Sequence, residues 1–243
     1  MRGFRGLVGG IALAFTTGAA ASPTITVDWN TSVFLPNGIG VGTVVHPGVD
    51  VATSAGRFAG EVTELTDFDE SQLFESTEDF FAYCHDLTQY LVNSSTVYDV
   101  TYGASPTMLA WLGAVNAVLG NGDYSWIDPQ TSTIAAAIQI GIWEALHYGP
   151  GDTQFVLDTG LVSFNLSNLP DNVEAQFAAF RSQMLAPGNV ALSPDLVMVL
   201  TSRASQDVIT ARLRPAELVP EPSSLLLFSL AMAAAVVSRR RRG

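Results

Sequence analysis

The sequence has no lysine. Its 11 basic residues are all arginine and stand against 23 acidic ones. Two arginines precede the first apolar run and four close the chain. Residues 22–220 keep five arginines against 22 acids, a formal charge of −17. A body of that charge excludes nucleic acid as a partner, because neutralising phosphates takes clustered basic side chains. Cysteine is almost as scarce. With Cys84 as the single thiol, an intramolecular disulfide framework, a zinc finger and CxxC redox chemistry are excluded. The chain also lacks GxxxxGK[ST], HExxH and GxSxG, the usual phosphate-loop, zinc-protease and serine-hydrolase signatures. No metal and no cofactor is expected.

What is present begins with two unusual ends. Arg2 and Arg5 lead into the apolar run Leu7–Phe15, and Ala19-Ala20-Ala21 precedes Ser22. A basic start, an apolar centre and a small-residue cleavage site make residues 1–21 a secretory signal. At the other end Pro220-Glu221-Pro222 is followed by the apolar segment Ser223–Ser238 and then by Arg239, Arg240, Arg241 and Arg242. Sixteen residues fall slightly short of the roughly 20 of a spanning helix, and the arginines hold their side at the cytoplasmic face. In that order the three parts of residues 216–243 resemble the PEP-CTERM sorting signal. The resemblance implies an exosortase-type sorting enzyme as partner, in a Gram-negative bacterium with an exopolysaccharide system. It implies transient anchoring in the inner membrane through the C-terminal helix, then delivery to the cell envelope, cell surface or extracellular matrix. An ordinary C-terminal membrane anchor is the plainer alternative, and either way the body at 22–215 works outside the inner membrane.

Within that body, Thr24-Ile25-Thr26-Val27-Asp28-Trp29 alternates as a strand does, and Ser22 to about Arg57 reads as strands joined by turns. Arg57–Leu65, Phe80–Cys84 and Thr96–Tyr102 continue the pattern. Between them lies an acidic stretch with Asp67, Asp69, Glu70, Glu75, Glu78 and Asp79. It lacks EF-hand spacing and the glycine of that loop, so a solvated loop is favoured over a calcium site. Ser105-Pro106 opens a helix that Gly120 closes. A second helix runs from Thr131 or Ser132 to His147 with Gly149 as terminator, and a third from Asp171 to Leu185 before Pro187-Gly188. Asp195–Thr201 and Asp207–Leu213 return to strand alternation. The layout predicts an α+β domain: a sandwich or barrel-like sheet with a bundle of about three helices inserted between strands of one sheet.

The second helix carries the local anomaly. From Ile134 to Trp143 it is apolar on every face except at Gln139, the mark of a helix buried in a core. A buried carboxamide must find partners or cost roughly 1–3 kcal/mol. Gly141, two residues on, costs about 1 kcal/mol against alanine in a helix, which predicts a close approach to the backbone there. Violations of local preference tend to fall at functional sites, although a core glutamine bonded to a neighbouring backbone group is the plain explanation. The lone thiol sits in Tyr83-Cys84-His85-Asp86 at a predicted strand end; alone, it reads as a small buried hydrophobe.

Together, Tyr83, Cys84 and Asp86 followed 55 residues later by Gln139, Ile142 and Trp143 resemble the bacterial thioester domain of surface adhesins, over roughly residues 60 to 215. The chain departs from that family's pattern at Ile138, where threonine is usual, at Gly141, where alanine is usual, and at His85, where an aliphatic residue is common. The resemblance implies that the thiol attacks the glutamine amide, ammonia leaves, and an internal thioester remains for an amine- or hydroxyl-bearing polymer or surface to open. Such a bond survives only where water is excluded. Trp143, on the face of Gln139, is placed to roof it, and Asp86 to hold nearby backbone N–H groups. His85 and His147 are candidates for base or acyl acceptor, though a histidine at a helix C-terminus also suits the dipole there. The missing lysines fit a chain that must not capture its own acyl group, although arginine codon bias is the better explanation of them.

The leading expectation is therefore an exported, sorted, single-use covalent adhesin or cross-linker rather than a turnover enzyme. The alternative is a non-covalent structural or carbohydrate-contacting protein of the exopolysaccharide or biofilm matrix. A cysteine hydrolase using Cys84 and His147 is disfavoured, because no oxyanion-hole or family-specific cysteine-protease signature is visible.

Overall fold

The computed structural model describes residues 22–29, 39–46, 49–147, 163–164 and 169–213. The expected signal at 1–21, the expected sorting segment with Pro220, Glu221, Pro222 and Arg239 to Arg242, and the expected terminator Gly149 lie outside the described residues.

Alternation of apolar and polar side chains sets the strands. Six of them close an antiparallel barrel in the spatial order β1 (Thr24–Asp28), β4 (Phe58–Thr66), β5 (Phe80–Cys84), β9 (Val208–Ala211), β8 (Val197–Thr201) and β6 (Thr96–Tyr102). Ile25 and Val27 of β1 and Tyr98 and Val100 of β6 are buried, while their neighbours Val97 and Asp99 are exposed, as expected where one face of a strand meets a core. Trp29 packs at 6.2, 6.0 and 6.3 Å between ring centroids against Phe58, Phe80 and Tyr98, and its indole N–H donates to the Tyr98 hydroxyl at 3.0 Å. Each ring comes from a different barrel strand or strand end, so this cluster ties the barrel together.

The one-sheet expectation is corrected by a second sheet, in the order β3 (Val49–Ala55), β2 (Ile39–His46) and β7 (Ser163–Phe164). The short connection between β2 and β3 lets them pair with each other, from Ile39↔Ala55 to His46↔Val49, instead of joining the barrel. The acidic stretch forms a loop around a 3-10 turn at Glu70–Gln72, where the Asp69 side chain accepts from the Ser71 backbone N–H. That bond holds the Asp69 carboxyl below its ordinary range.

Three helices enter the chain between β6 and β8, giving the α+β class: α1 (Pro106–Leu119), α2 (Ser132–His147) and α3 (Asp171–Leu185). Ser105 caps α1 by accepting from Met108 N–H, and Gly120 ends it at φ 72°, in the left-handed region that glycine tolerates. Thr131 caps α2 through its hydroxyl. From Ala135 to Ala145 every residue of α2 is buried, because α2 lies among α1, α3, β5 and β3 of the second sheet. A strand covered on both faces reads as a continuous apolar run. Phe80-Phe81-Ala82-Tyr83-Cys84 is such a run: all but Phe81 are buried, and the strand packs against α2.

The close approach at Gly141 comes from Trp111 of α1. A β-carbon on Gly141 would lie 1.9 Å from the indole ring, which also donates to Ile138 C=O, lies tilted against Phe177 and meets Phe180 of α3 edge to face. Gly141→Ala thus sets a helix-propensity gain of about 1 kcal/mol against overpacking of about 1–3 kcal/mol or more. With fused-ring atoms as the obstacle, overpacking wins. The variant is expected to melt at a lower temperature than the parent in calorimetry; an equal or higher melting temperature would show that the three-helix junction can relax.

Candidate functional site

Cys84 stands where one neighbour of β5 runs out. The β4–β5 ladder covers Phe58↔Ala82 to Gly60↔Phe80 and stops there, whereas β9 continues through Tyr83↔Ile209 and Cys84↔Val208. Backbone groups of alternate residues point to the same side of a strand. Those of Cys84 therefore point where Ala82 met β4, and β4 is no longer there.

Gln139 takes the vacant place. Its Oε1 accepts from Cys84 N–H at 2.8 Å and its Nε2 donates to Cys84 C=O at 2.9 Å. The carboxamide acts as one more rung of the ladder, donor to acceptor and acceptor to donor. The sequence left two outcomes open, an amide with unmet donors and one bonded to a neighbouring backbone group; Gln139, 1% exposed, is satisfied at two points by the backbone of the residue that carries the thiol. The carboxamide carbon is thereby held against Cys84.

The same helix face reaches the sulfur. Trp143 lies one turn beyond Gln139, and its Nε1–H donates to Cys84 Sγ at 3.2 Å. The thiol in turn donates to the carbonyl of Asp86. Asp86 makes a tight turn, its Oδ1 accepting from Thr88 N–H at 2.6 Å and from the Thr88 hydroxyl at 2.7 Å. Ile142 is fully buried within α2, and Tyr83, on the opposite face of β5, stacks on Trp126 at 6.1 Å. Burial drives the Tyr83 phenol above its ordinary range, so its part here is packing. Gly141 serves the Trp111 contact rather than the thiol.

Neither histidine ring is among the groups hydrogen-bonded to Cys84. His85 is tied through its backbone N–H to Asp207 C=O at 2.8 Å. Burial pulls its imidazole below the usual range, with Asp86 opposing, so the ring is neutral near pH 7. His147 ends α2, eight residues past Gln139 and about 12 Å further along the helix axis.

The β8–β9 turn adds residues that the sequence did not single out. Gln206 Nε2 donates to Asp86 C=O at 2.8 Å and to Gln89 C=O at 3.0 Å, and its backbone N–H to Tyr90 C=O at 3.1 Å. Ser202 N–H donates to Asp207 Oδ1 at 2.8 Å. Ala204-Ser205-Gln206-Asp207 reads as an ordinary polar turn, and nothing local marks it as the latch of a segment 120 residues away.

Burial pushes the Cys84 thiol up to about 12, against the opposing pull of the Trp143 N–H and the Asp86 backbone; the charges of Asp86 and Asp207 raise it further. A cysteine hydrolase lowers its thiol pKa with a paired cation. Cys84 has the reverse setting, a neutral thiol kept dry beside a carboxamide.

The clamp makes opposite demands on two variants. Gln139→Ala strands a buried N–H and C=O of Cys84, a loss of about 1–3 kcal/mol for each group, readable by denaturant unfolding. Gln139→Glu retains the shape, and its protonated acid can still donate to Cys84 C=O. Its folded pKa is raised, so it is closest to the parent below the unfolded glutamate value of about 4.3 and loses stability as pH rises through the folded value. Equal losses at acid and neutral pH would contradict the clamp.

Comparison with known proteins places the C-terminal end. Residues 218–242 match the PEP-CTERM protein-sorting motif. No curated protein and no solved structure matches the chain. Among the described residues no helix is long and apolar enough to cross a membrane. The chain carries at its C-terminus the motif of exported cell-envelope proteins processed by an exosortase.

Proposed function

We propose that the body of this exported, exosortase-sorted protein is a single-use acyl trap in which Cys84 and Gln139 condense to an internal thioester. The observation that carries the reading is the two-point seating of the Gln139 carboxamide on Cys84 itself, from 55 positions away in sequence. The thiol adds to the carboxamide carbon, its proton goes to the departing nitrogen, ammonia leaves, and the S–acyl bond remains. A target amine or hydroxyl then attacks the acyl carbon, sulfur departs and takes up a proton, and the target is joined to Gln139 through an amide or ester. Buried Ile138, Ile142 and Trp143 exclude water that would otherwise hydrolyse the bond. The absence of lysine leaves no side-chain amine to intercept it. Attachment of the chain to an extracellular polymer or surface follows as its role.

A second reading is favoured by the same clamp: the carboxamide is already satisfied, which makes Gln139 a ladder rung in a non-covalent structural or carbohydrate-contacting matrix protein.

Intact mass spectrometry separates the two. The trap predicts a mass lower by one ammonia, a thiol that resists alkylation, and recovery of both by methylamine. Cys84→Ala must abolish the ammonia loss; this control matters because Asn37-Gly38 and Asn121-Gly122 can also shed ammonia by cyclising. Full mass with a thiol insensitive to methylamine, and attachment unaffected by Cys84→Ala, would leave the second reading.

A further inference from the structure

The thiol of Cys84 makes two hydrogen bonds. One goes to the Asp86 carbonyl, an acceptor; the other comes from Trp143 Nε1–H, a donor, at 3.2 Å. Condensation and opening both put negative charge on this sulfur, at a residue 1% exposed. The surroundings oppose that charge. Burial removes water, the Asp86 and Asp207 carboxylates repel it, and His85, neutral near pH 7, supplies no cation; the pull the other way comes first from the Trp143 N–H and second from the Asp86 backbone. An acceptor carbonyl cannot stabilise a thiolate, whereas a fixed N–H can.

We infer that the Trp143 indole N–H is the hydrogen-bond donor that stabilises the Cys84 thiolate as the acyl bond forms and breaks, which makes Trp143 a catalytic residue of the trap as well as its lid. The inference rests on the thioester reading of Cys84 and Gln139.

The helix explains why one residue holds both tasks. Gln139 and Trp143 are four apart on α2, so one face presents a carboxamide to the Cys84 backbone and an indole to its sulfur. Tryptophan is the side chain that joins a large apolar surface to a single uncharged donor. An arginine here would bring a charge into the core, and a lysine would itself be acylated. The donor favours the thiolate in both directions, so it speeds approach to the resting bond and departure of sulfur when a target attacks.

Trp143→Phe keeps an aromatic lid and removes the N–H. In the methylamine-opened protein the donor role predicts slower alkylation of Cys84 across the alkaline range in which the fold holds, with the apparent thiol pKa shifted upward. Methylamine opening of the resting bond is expected to slow about ten- to a hundredfold. A lid-only role predicts the opposite sign: the smaller ring admits water and reagent, the thiol pKa falls, and alkylation and opening both accelerate. That result overturns the inference while the ammonia loss still upholds the trap. A parent protein of full mass overturns the trap and this role with it. Should Trp143→Phe fail to fold, the unsubstituted, methylamine-opened chain supplies the measurement. The Trp143 indole N–H resonance is expected to move downfield as rising pH charges the thiol, and a resonance that stays put overturns the assignment.

Discussion

A side chain standing in for a strand is the interaction on which this site depends. β4 stops two residues short of Cys84, and the Gln139 carboxamide supplies the donor and acceptor that β4 no longer provides. Backbone polar groups inside a core must be paired, so the end of β5 is secure only while α2 sits at the right depth and rotation. That depth is set elsewhere, by Trp111 seated on Gly141 and by the buried run from Ala135 to Ala145. Helical packing and sheet completion are thus one constraint.

The arrangement also decides what kind of thiol Cys84 is. It is neutral, dry and held between one donor and one acceptor. Such a sulfur is poorly suited to repeated turnover, in which a thiolate must be regenerated beside a base. It suits a bond made once and broken once. The β8–β9 turn contributes by pinning the chain beyond the thiol through Gln206, so that Asp86 presents its carbonyl to Sγ and its carboxylate to Thr88.

Much of the fold was legible because its signals are local. Alternation in Thr24–Trp29, Pro106 behind a serine cap, and Gly120 at a left-handed position each announce an element through its own residues. The nearness of Cys84 and Gln139 was legible only through a family resemblance joined to two anomalies, one polar residue in an apolar helix and one thiol at a strand end; each anomaly alone had a plain structural explanation. The amide's satisfaction by the Cys84 backbone was not legible, since it depends on where β4 ends in register with β5. Nor was the separate β3–β2–β7 sheet, whose partners are chosen by connection length rather than composition. Trp111 as the neighbour of Gly141, and Gln206 as the latch on Asp86, are contacts between distant segments with no trace in either segment alone.

The buried run of α2 bears on mechanics. Cargo joined at Gln139 would hang from a helix wedged among two other helices and a barrel strand, with eleven consecutive residues out of solvent. Tension between that cargo and the far end of the chain, which leaves the barrel through β9, would meet no exposed hinge at the point of attachment. To tear the load free, the helix itself would have to be drawn out of its socket.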